Sequence, residues 1–131
     1  MTNQPASSLE ERKDRGLALL EHMLGETKAE EFKATLRELC PDFEEYVIGF
    51  LSGEIWSRPG LDKRTKSLIT IAALMAMGRS KGLEFNIRLA ANNGATREEI
   101  TETFLHLAPY AGFPAAWEAL SIAHKVFSEV G

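Results

Sequence analysis

DKRTKSLITIAALMAMGRSKGLEFNIRLAANNG, residues 62–94, is the stretch that decides the fold. From Leu68 to Met77 apolar side chains occupy every side of a helical wheel drawn at about 100° per residue. A helix without a polar side is expected to be buried all round, so this one is predicted to be the central element. Asp62 is a fair N-cap for it and Gly78 a stop. In the helix that follows, Glu84, Arg88 and Asn92 gather on a solvated side, and Leu83, Phe85, Ile87, Leu89, Ala90 and Ala91 fill the rest. Ser80 is placed to cap this helix and Gly94 to end it. Asn86 and Asn93 fall near the middle of its apolar arc. A buried amide without partners costs roughly 1–3 kcal/mol. Either the fold uses these amides, or a ligand does. The fold's use of Asn86 would be to bridge the backbone ends of neighbouring helices, and that of Asn93 to cap a helix end.

Helix signals continue on both sides of this stretch, and no strand alternation is found. Ser7 or Ser8 with Glu10 or Glu11 offers a capping box, followed by Leu17, Leu20 and Leu24 up to Gly25. Thr27 with Glu30 restarts a helix whose stripe is Phe32, Leu36, Leu39 and Cys40. Pro41 breaks it and opens the next, which is expected to pack through Phe43, Val47, Phe50 and Leu51. SGEIWSRPGLD then reads as an irregular connection with a turn at Pro59-Gly60. On the C-terminal side, Thr96 and Glu99 form a capping box for a helix with the stripe Ile100, Phe104, Leu107 and Ala108, kinked or closed by Pro109. Pro114 suits the first turn of a last helix, with Ala116, Leu120, Ala123 and Phe127 inward. The expected fold is all-α: one single-domain bundle of about seven short helices over the whole chain, with residues 1–7 flexible.

Composition narrows the function classes. The chain has 131 residues, 44% of them hydrophobic, which suits one domain with a real core. A net charge of −4 leaves no dominant basic face for nucleic acid. A single cysteine, Cys40, rules out an internal disulfide or dithiol centre and fits a reducing compartment. MTNQPASS has neither a basic nor an apolar leader region, and the longest apolar run is too short to span a bilayer, for which about 20 residues are needed. A cytoplasmic protein that binds neither nucleic acid nor membrane is expected.

Phosphate-loop and nucleophile-elbow motifs are absent from the sequence, and His22, His106 and His124 lack metal-site spacing, so no metal is expected. Arg58, Lys63, Arg64 and Lys66 are opposed only by Asp62. Three of them fall near a helix start, where the dipole disfavours cations by roughly 0.3–1 kcal/mol each. Such a cluster either receives an anion or is a solvated cap paired with acidic neighbours or with another subunit. Glu54, Trp56 and Arg58 alternate through the predicted connection; the bland alternative has Trp56 plugging the core and Glu54 paired with Arg58. His106 lies on a polar side near Glu102 and reads as a surface residue. His124 reads as a satisfied core-edge histidine near Trp117, and Tyr110 points into a cavity or at solvent.

The blocks GEIWSRPGLDKRTKSLITIAAL, NIRLAANNGATREEI and HLAPYAGFPAA resemble, in order, spacing and wording, the carboxymuconolactone decarboxylase family, from about Asp42 to Phe127. The resemblance implies an AhpD-like helical fold assembled as a homo-oligomer, a hexamer or trimer. It also implies a cofactor-free lyase of the protocatechuate branch of aromatic catabolism, converting a small carboxylated lactone to an enol-lactone with loss of CO2. Redox relatives in the superfamily carry a Glu, a Cys-x-x-Cys pair and a His where this chain has Ser67, Arg79, Gly82 and Asn86. A thiol peroxidase would therefore have only Cys40 to work with. Decarboxylases proper usually carry a histidine at the position of Asn86. By this reading Arg58 or Arg64 holds a carboxylate beside Trp56, and Asn86 donates to the developing oxyanion. Glu54, His106, Tyr110 or a water returns the proton. The alternative is a non-catalytic member of the fold that binds a small molecule or serves assembly.

Overall fold

The computed structural model describes residues 8–129; Ser7 and the N-terminal stretch expected to be flexible lie outside the described residues. The helix signals act where the chain places them. Ser8 Oγ accepts from Glu11 N and the Glu11 carboxylate accepts from Ser8 N, both at 3.1 Å, which starts α1 (Leu9–Leu24) with a complete capping box. Gly25, at φ 89°, ends α1 and directly precedes α2 (Glu26–Leu39). Thr27 is thus already inside α2 and caps nothing, contrary to expectation. Pro41 opens α3 (Pro41–Glu45) as its first residue. α3 then runs without interruption into an 11-residue π-helical segment, Tyr46–Trp56.

This π segment overturns the expected packing. Phe43, Phe50 and Leu51 are exposed and Val47 is half-buried. The buried positions are Glu44, Ile48 and Ser52 together with Gly49 and Gly53, recurring every fourth residue. Closing i→i+5 hydrogen bonds turns the chain less per residue than an α-helix does, so a 100° wheel selects the wrong side. The segment lies against α1 backbone to backbone. A Cβ on Gly16 would collide with Ile48 O, and one on Gly53 with Arg12 O. Beside this crossing, the Glu44 carboxylate is 1% exposed, 3.3 Å from Arg37 Nη1 and 3.9 Å from Lys13 Nζ, and its Oε2 accepts no hydrogen bond. In α2 only Ala29 and Leu36 are buried; Leu39 and Cys40 face solvent.

The chain divides at Leu61 and Asp62 into two compact units. The second holds α4 (Lys63–Met77), α5 (Ser80–Asn92), α6 (Arg97–Ala111) and α7 (Phe113–Glu129). Asp62 Oδ1 accepts from Thr65 N at 2.7 Å, and Thr96 and Glu99 cap α6 reciprocally. Gly78 closes α4 in the left-handed region at φ 71°. Pro109 sits within α6 without ending it; Gly112 does that. The core gathers around Phe104, Ile71, Met75, Leu83, Ile87 and Ile100. α7 packs on α5 and α6 through Ala116, Ala119, Ala123 and Val126, while Leu120 and Phe127, expected inward, are only half-buried, as is Leu107.

Two further expectations fail in this unit. α4 is not buried all round: Ser67, Ile71 and Met75 form its buried line, and Ile69 is 53% exposed on another side. Its neighbours α5, α6 and α7 cover only part of the circumference. Ser80 does not cap α5 either. It is the first helical residue, and its Oγ donates to Glu118 Oε1 at 2.9 Å. Among the described residues all regular structure is helical, seven helices with the third prolonged by the π segment, so the fold is all-α. No helix there is long and apolar enough to cross a membrane.

Candidate functional site

In the first unit, Glu54 and Trp56 stand on the last turn of the π segment, and Arg58 follows in the turn after it. The irregular connection predicted from Ser52 therefore begins only at Ser57. Glu54 Oε1 lies 3.5 Å from Arg12 Nε of α1, so this carboxylate has an arginine partner on another helix. Trp56 is half-buried and Arg58 exposed. The carbonyl of Gly53, immediately before Glu54, accepts from Arg15 Nε at 2.7 Å and from Ser57 Oγ at 2.6 Å. Arg12 and Arg15 escaped the sequence reading because two arginines on an amphipathic helix carry no signal of their own.

In the second unit, Arg64 Nη1 is 2.9 Å from Glu99 Oε2, which joins the first turn of α4 to the first turn of α6. The carboxylate that Arg64 grips is thus supplied by the chain. Hydrogen bonds from the Thr65 backbone hold the Asp62 carboxyl below the usual aspartate range. Asn86 is half-buried on α5 and donates from Nδ2 to Gly82 O at 2.8 Å, one turn back in its own helix. It bridges no neighbouring helix, and it keeps a second N–H and a carbonyl oxygen for another partner. Asn93 is the bridging amide: its Nδ2 donates to Ser67 Oγ of α4 at 2.9 Å, and Ser67 is 1% exposed. His106 and Tyr110 stand one turn apart on α6 with ring centroids 5.8 Å apart, and Tyr110 is 79% exposed.

His124 is exposed, not tucked at a core edge. It borders an open groove of about 580 Å³ lined by Leu105, Phe113, Trp117, Leu120 and Ser121. Sequence reading missed this groove; the signal available was a second stripe on α7, Phe113, Trp117, Leu120 and His124, at helical spacing. Arg88, on the solvated side of α5, makes surface pairs at 3.0 Å to Glu84 and 2.6 Å to Glu129, and Lys125 adds a third at 3.2 Å from Glu84. Hydrogen bonds from Arg88 and then Lys125 hold the Glu84 carboxyl below the usual glutamate range. The hydrogen bonds that Arg88 donates to Glu129 and Glu84 raise its own pKa above the usual arginine value. Among the described residues, no three His, Cys, Asp or Glu side chains cluster so as to hold a metal ion.

Comparison with known proteins adds a second line of support. The sequence profile described as "Carboxymuconolactone decarboxylase family" matches residues 41–125. The chain is 40% identical to 4-carboxymuconolactone decarboxylase of Acinetobacter baylyi, over 93% of this chain and 91% of the relative. It is 30% identical to nitrosuccinic acid decarboxylase of Metarhizium robertsii, over 89% and 82%. An uncharacterized 15.0 kDa protein of Paracoccus denitrificans is 33% identical over 72% of each chain.

Proposed function

Since the chain belongs to the carboxymuconolactone decarboxylase family, we propose that it is a lyase removing CO2 from a small carboxylated substrate, a lactone of the 4-carboxymuconolactone type. The observation that carries this reading is the 40% identity sustained over nine-tenths of both chains. A second relative, at 30% identity, is also named a decarboxylase, of a different acid, which supports the reaction class more than any one substrate.

Decarboxylation of such a lactone breaks the bond between the carboxylate and the ring. The electron pair passes through the conjugated system onto the lactone carbonyl, CO2 departs, and a proton returns to carbon. A site for this needs a cation for the retained carboxylate, a donor for the developing oxyanion and a proton source. In the first unit, exposed Arg58 serves as the carboxylate fork, with Trp56 beside it in the chain, and Glu54 as the proton-handling group. The second unit, taken by itself, offers a separate set: there the second N–H of Asn86 is the oxyanion donor, worth roughly 3 kcal/mol in a dry site. Arg64, His106 and Tyr110 stand as further binding and proton-transfer candidates there. No cofactor is invoked. We place the protein in the cytoplasm, in aromatic catabolism, as a hexamer or trimer. The apolar side chains exposed on α4, α6 and α7 support assembly, which light scattering of purified protein will measure.

One geometric fact favours a second reading, a binding member without turnover. Arg64 and one N–H of Asn86 are already engaged within the chain. CO2 release from 4-carboxymuconolactone by the wild type, Arg58→Ala and Asn86→His separates the two. Wild-type turnover lost in Arg58→Ala supports the lyase. Thermal stabilisation by the lactone without CO2, with turnover appearing in Asn86→His, supports the binder.

A further inference from the structure

We propose that Arg15 is a positioning residue for the turn that carries Glu54, Trp56 and Arg58, acting through the carbonyl of Gly53. The inference rests on the reading above, in which that turn handles substrate.

A helix leaves its last carbonyls without main-chain donors. For Gly53 O, π closure would use the N–H of Arg58 and α closure that of Ser57. Both go elsewhere: the Ser57 and Arg58 N–H groups donate to Ile55 O, the latter at 3.2 Å. Gly53 O is satisfied by side chains instead, Ser57 Oγ at 2.6 Å and Arg15 Nε at 2.7 Å. Ser57 belongs to the turn and moves with it. Arg15 belongs to α1 and fixes the turn to a helix outside it. The bond is possible because Gly16 and Gly53 let the two backbones meet, so that the arginine one residue before Gly16 reaches the carbonyl sideways. Its charge also sits at the carbonyl end of the π segment, the end that favours a cation. With Arg12 beside Glu54, α1 holds the turn on two sides of the same residue pair. Glu54 follows Gly53 directly, so a shift of this carbonyl is a shift of the Glu54 backbone. Misplacement by about 1 Å costs on the order of a hundredfold in rate where a reacting group is concerned.

The turn carries its own reporter. Trp56 is one of two tryptophans, and in a Trp117→Phe background it fluoresces alone. In that background Arg15→Met is expected to increase acrylamide quenching of Trp56 at temperatures where far-UV circular dichroism is unchanged. Arg15→Lys, which restores a charged donor, is expected to reverse part of the increase. Leu20→Ala, which removes a buried side chain of α1 away from the turn, lowers the unfolding temperature but leaves quenching at the reference value. Quenching unchanged in Arg15→Met, or raised equally in Leu20→Ala, overturns the proposal whatever the substrate is. If Arg15→Met does not fold, Ser57→Ala, which removes the other donor to Gly53 O, is read the same way. In CO2-release assays Arg15→Met is expected to lower kcat by about tenfold to a hundredfold with a smaller effect on KM, and to add little in a Glu54→Gln background. Losses that multiply in the double variant overturn the proposal. Wild-type turnover kept by both Glu54→Gln and Arg58→Ala would instead reject the reading of the site.

Discussion

Replacing Gly16 by alanine sets two physical rules against each other. In the interior of α1 helix propensity alone predicts a gain of about 1 kcal/mol. The crossing with the π segment predicts the reverse. The new Cβ would collide with Ile48 O and lie 2.9 Å from Gly53 N and 3.0 Å from Ile48 C, all backbone atoms that cannot rotate away. Relieving such an overlap costs roughly 1–3 kcal/mol. Separating the two segments also stretches the 2.7 Å bond from Arg15 to Gly53 O. A hydrogen bond to a charged group is worth roughly 1.5–3 kcal/mol. Set against the propensity gain, the net expectation is a loss of about 1.5–5 kcal/mol. With an m-value near 2 kcal/mol/M, the urea midpoint of the first unit should fall by roughly 0.75–2.5 M, followed through Trp56 in a Trp117→Phe background. Gly82→Ala is the control. It also lies in a helix, but its Cβ would meet Leu74 Cδ1 at 3.6 Å, an ordinary contact. Its midpoint, followed through Trp117 in a Trp56→Phe background, should rise by the propensity gain. A Gly16→Ala midpoint that rises like that of Gly82→Ala would mean that α1 and the π segment do not meet at the backbone.

Other substitutions test the remaining packing and charge. Phe104→Ala empties the centre of the second unit's core, where Phe104 is 0% exposed, and should cost about 3–5 kcal/mol in urea unfolding; a cost below about 1 would refute that core. Glu84 should make the second unit acid-sensitive. Its folded carboxyl is held below the usual range, so its contribution is present above the unfolded pKa and lost as pH falls through the folded one. Glu84→Gln should flatten the fall in stability between neutral pH and about pH 3, and superimposable profiles would remove the network's role. Glu44→Met replaces a buried carboxylate whose Oε2 accepts no hydrogen bond, and leaves behind Arg37, which is solvated, and Lys13, which is partly so. Its thermal unfolding is expected to be unchanged or improved, by up to a few kcal/mol, and a marked loss would show that Glu44 is needed where it is.

What could be read from the sequence was what is local. Ser8, Asp62 and Thr96 cap the helices they precede, and Gly25 and Gly78 end helices, because each acts through backbone groups within four residues. The π segment was illegible for a related reason. A change from i→i+4 to i→i+5 closure has no compositional mark, and it moved burial from Phe50 and Leu51 to Ile48 and Ser52. α4 was misread because hydrophobicity states that a face is apolar, not what covers it. The two asparagines were visible as polar groups in an apolar arc, yet their partners depended on tertiary neighbours. Asn93 found Ser67 across the helix pair, and Asn86 turned back on Gly82. Among the candidate residues, Arg64 was legible as a charge and not as the partner of Glu99. The family itself was legible in three blocks of wording, which the relatives then matched.

The alanines of α7 set limits on how this sequence can drift. Ala116, Ala119 and Ala123 are at most 4% exposed where the helix meets α5 and α6, so the layer there is one methyl group thick. Any larger side chain must push two helices apart, and lineages that preserve the fold should hold small residues at all three sites. Leu105, Phe113 and Trp117, with Trp117 76% exposed, are under no such packing constraint from the described chain. Where evolution keeps those three, the pressure comes from something that the chain meets outside itself.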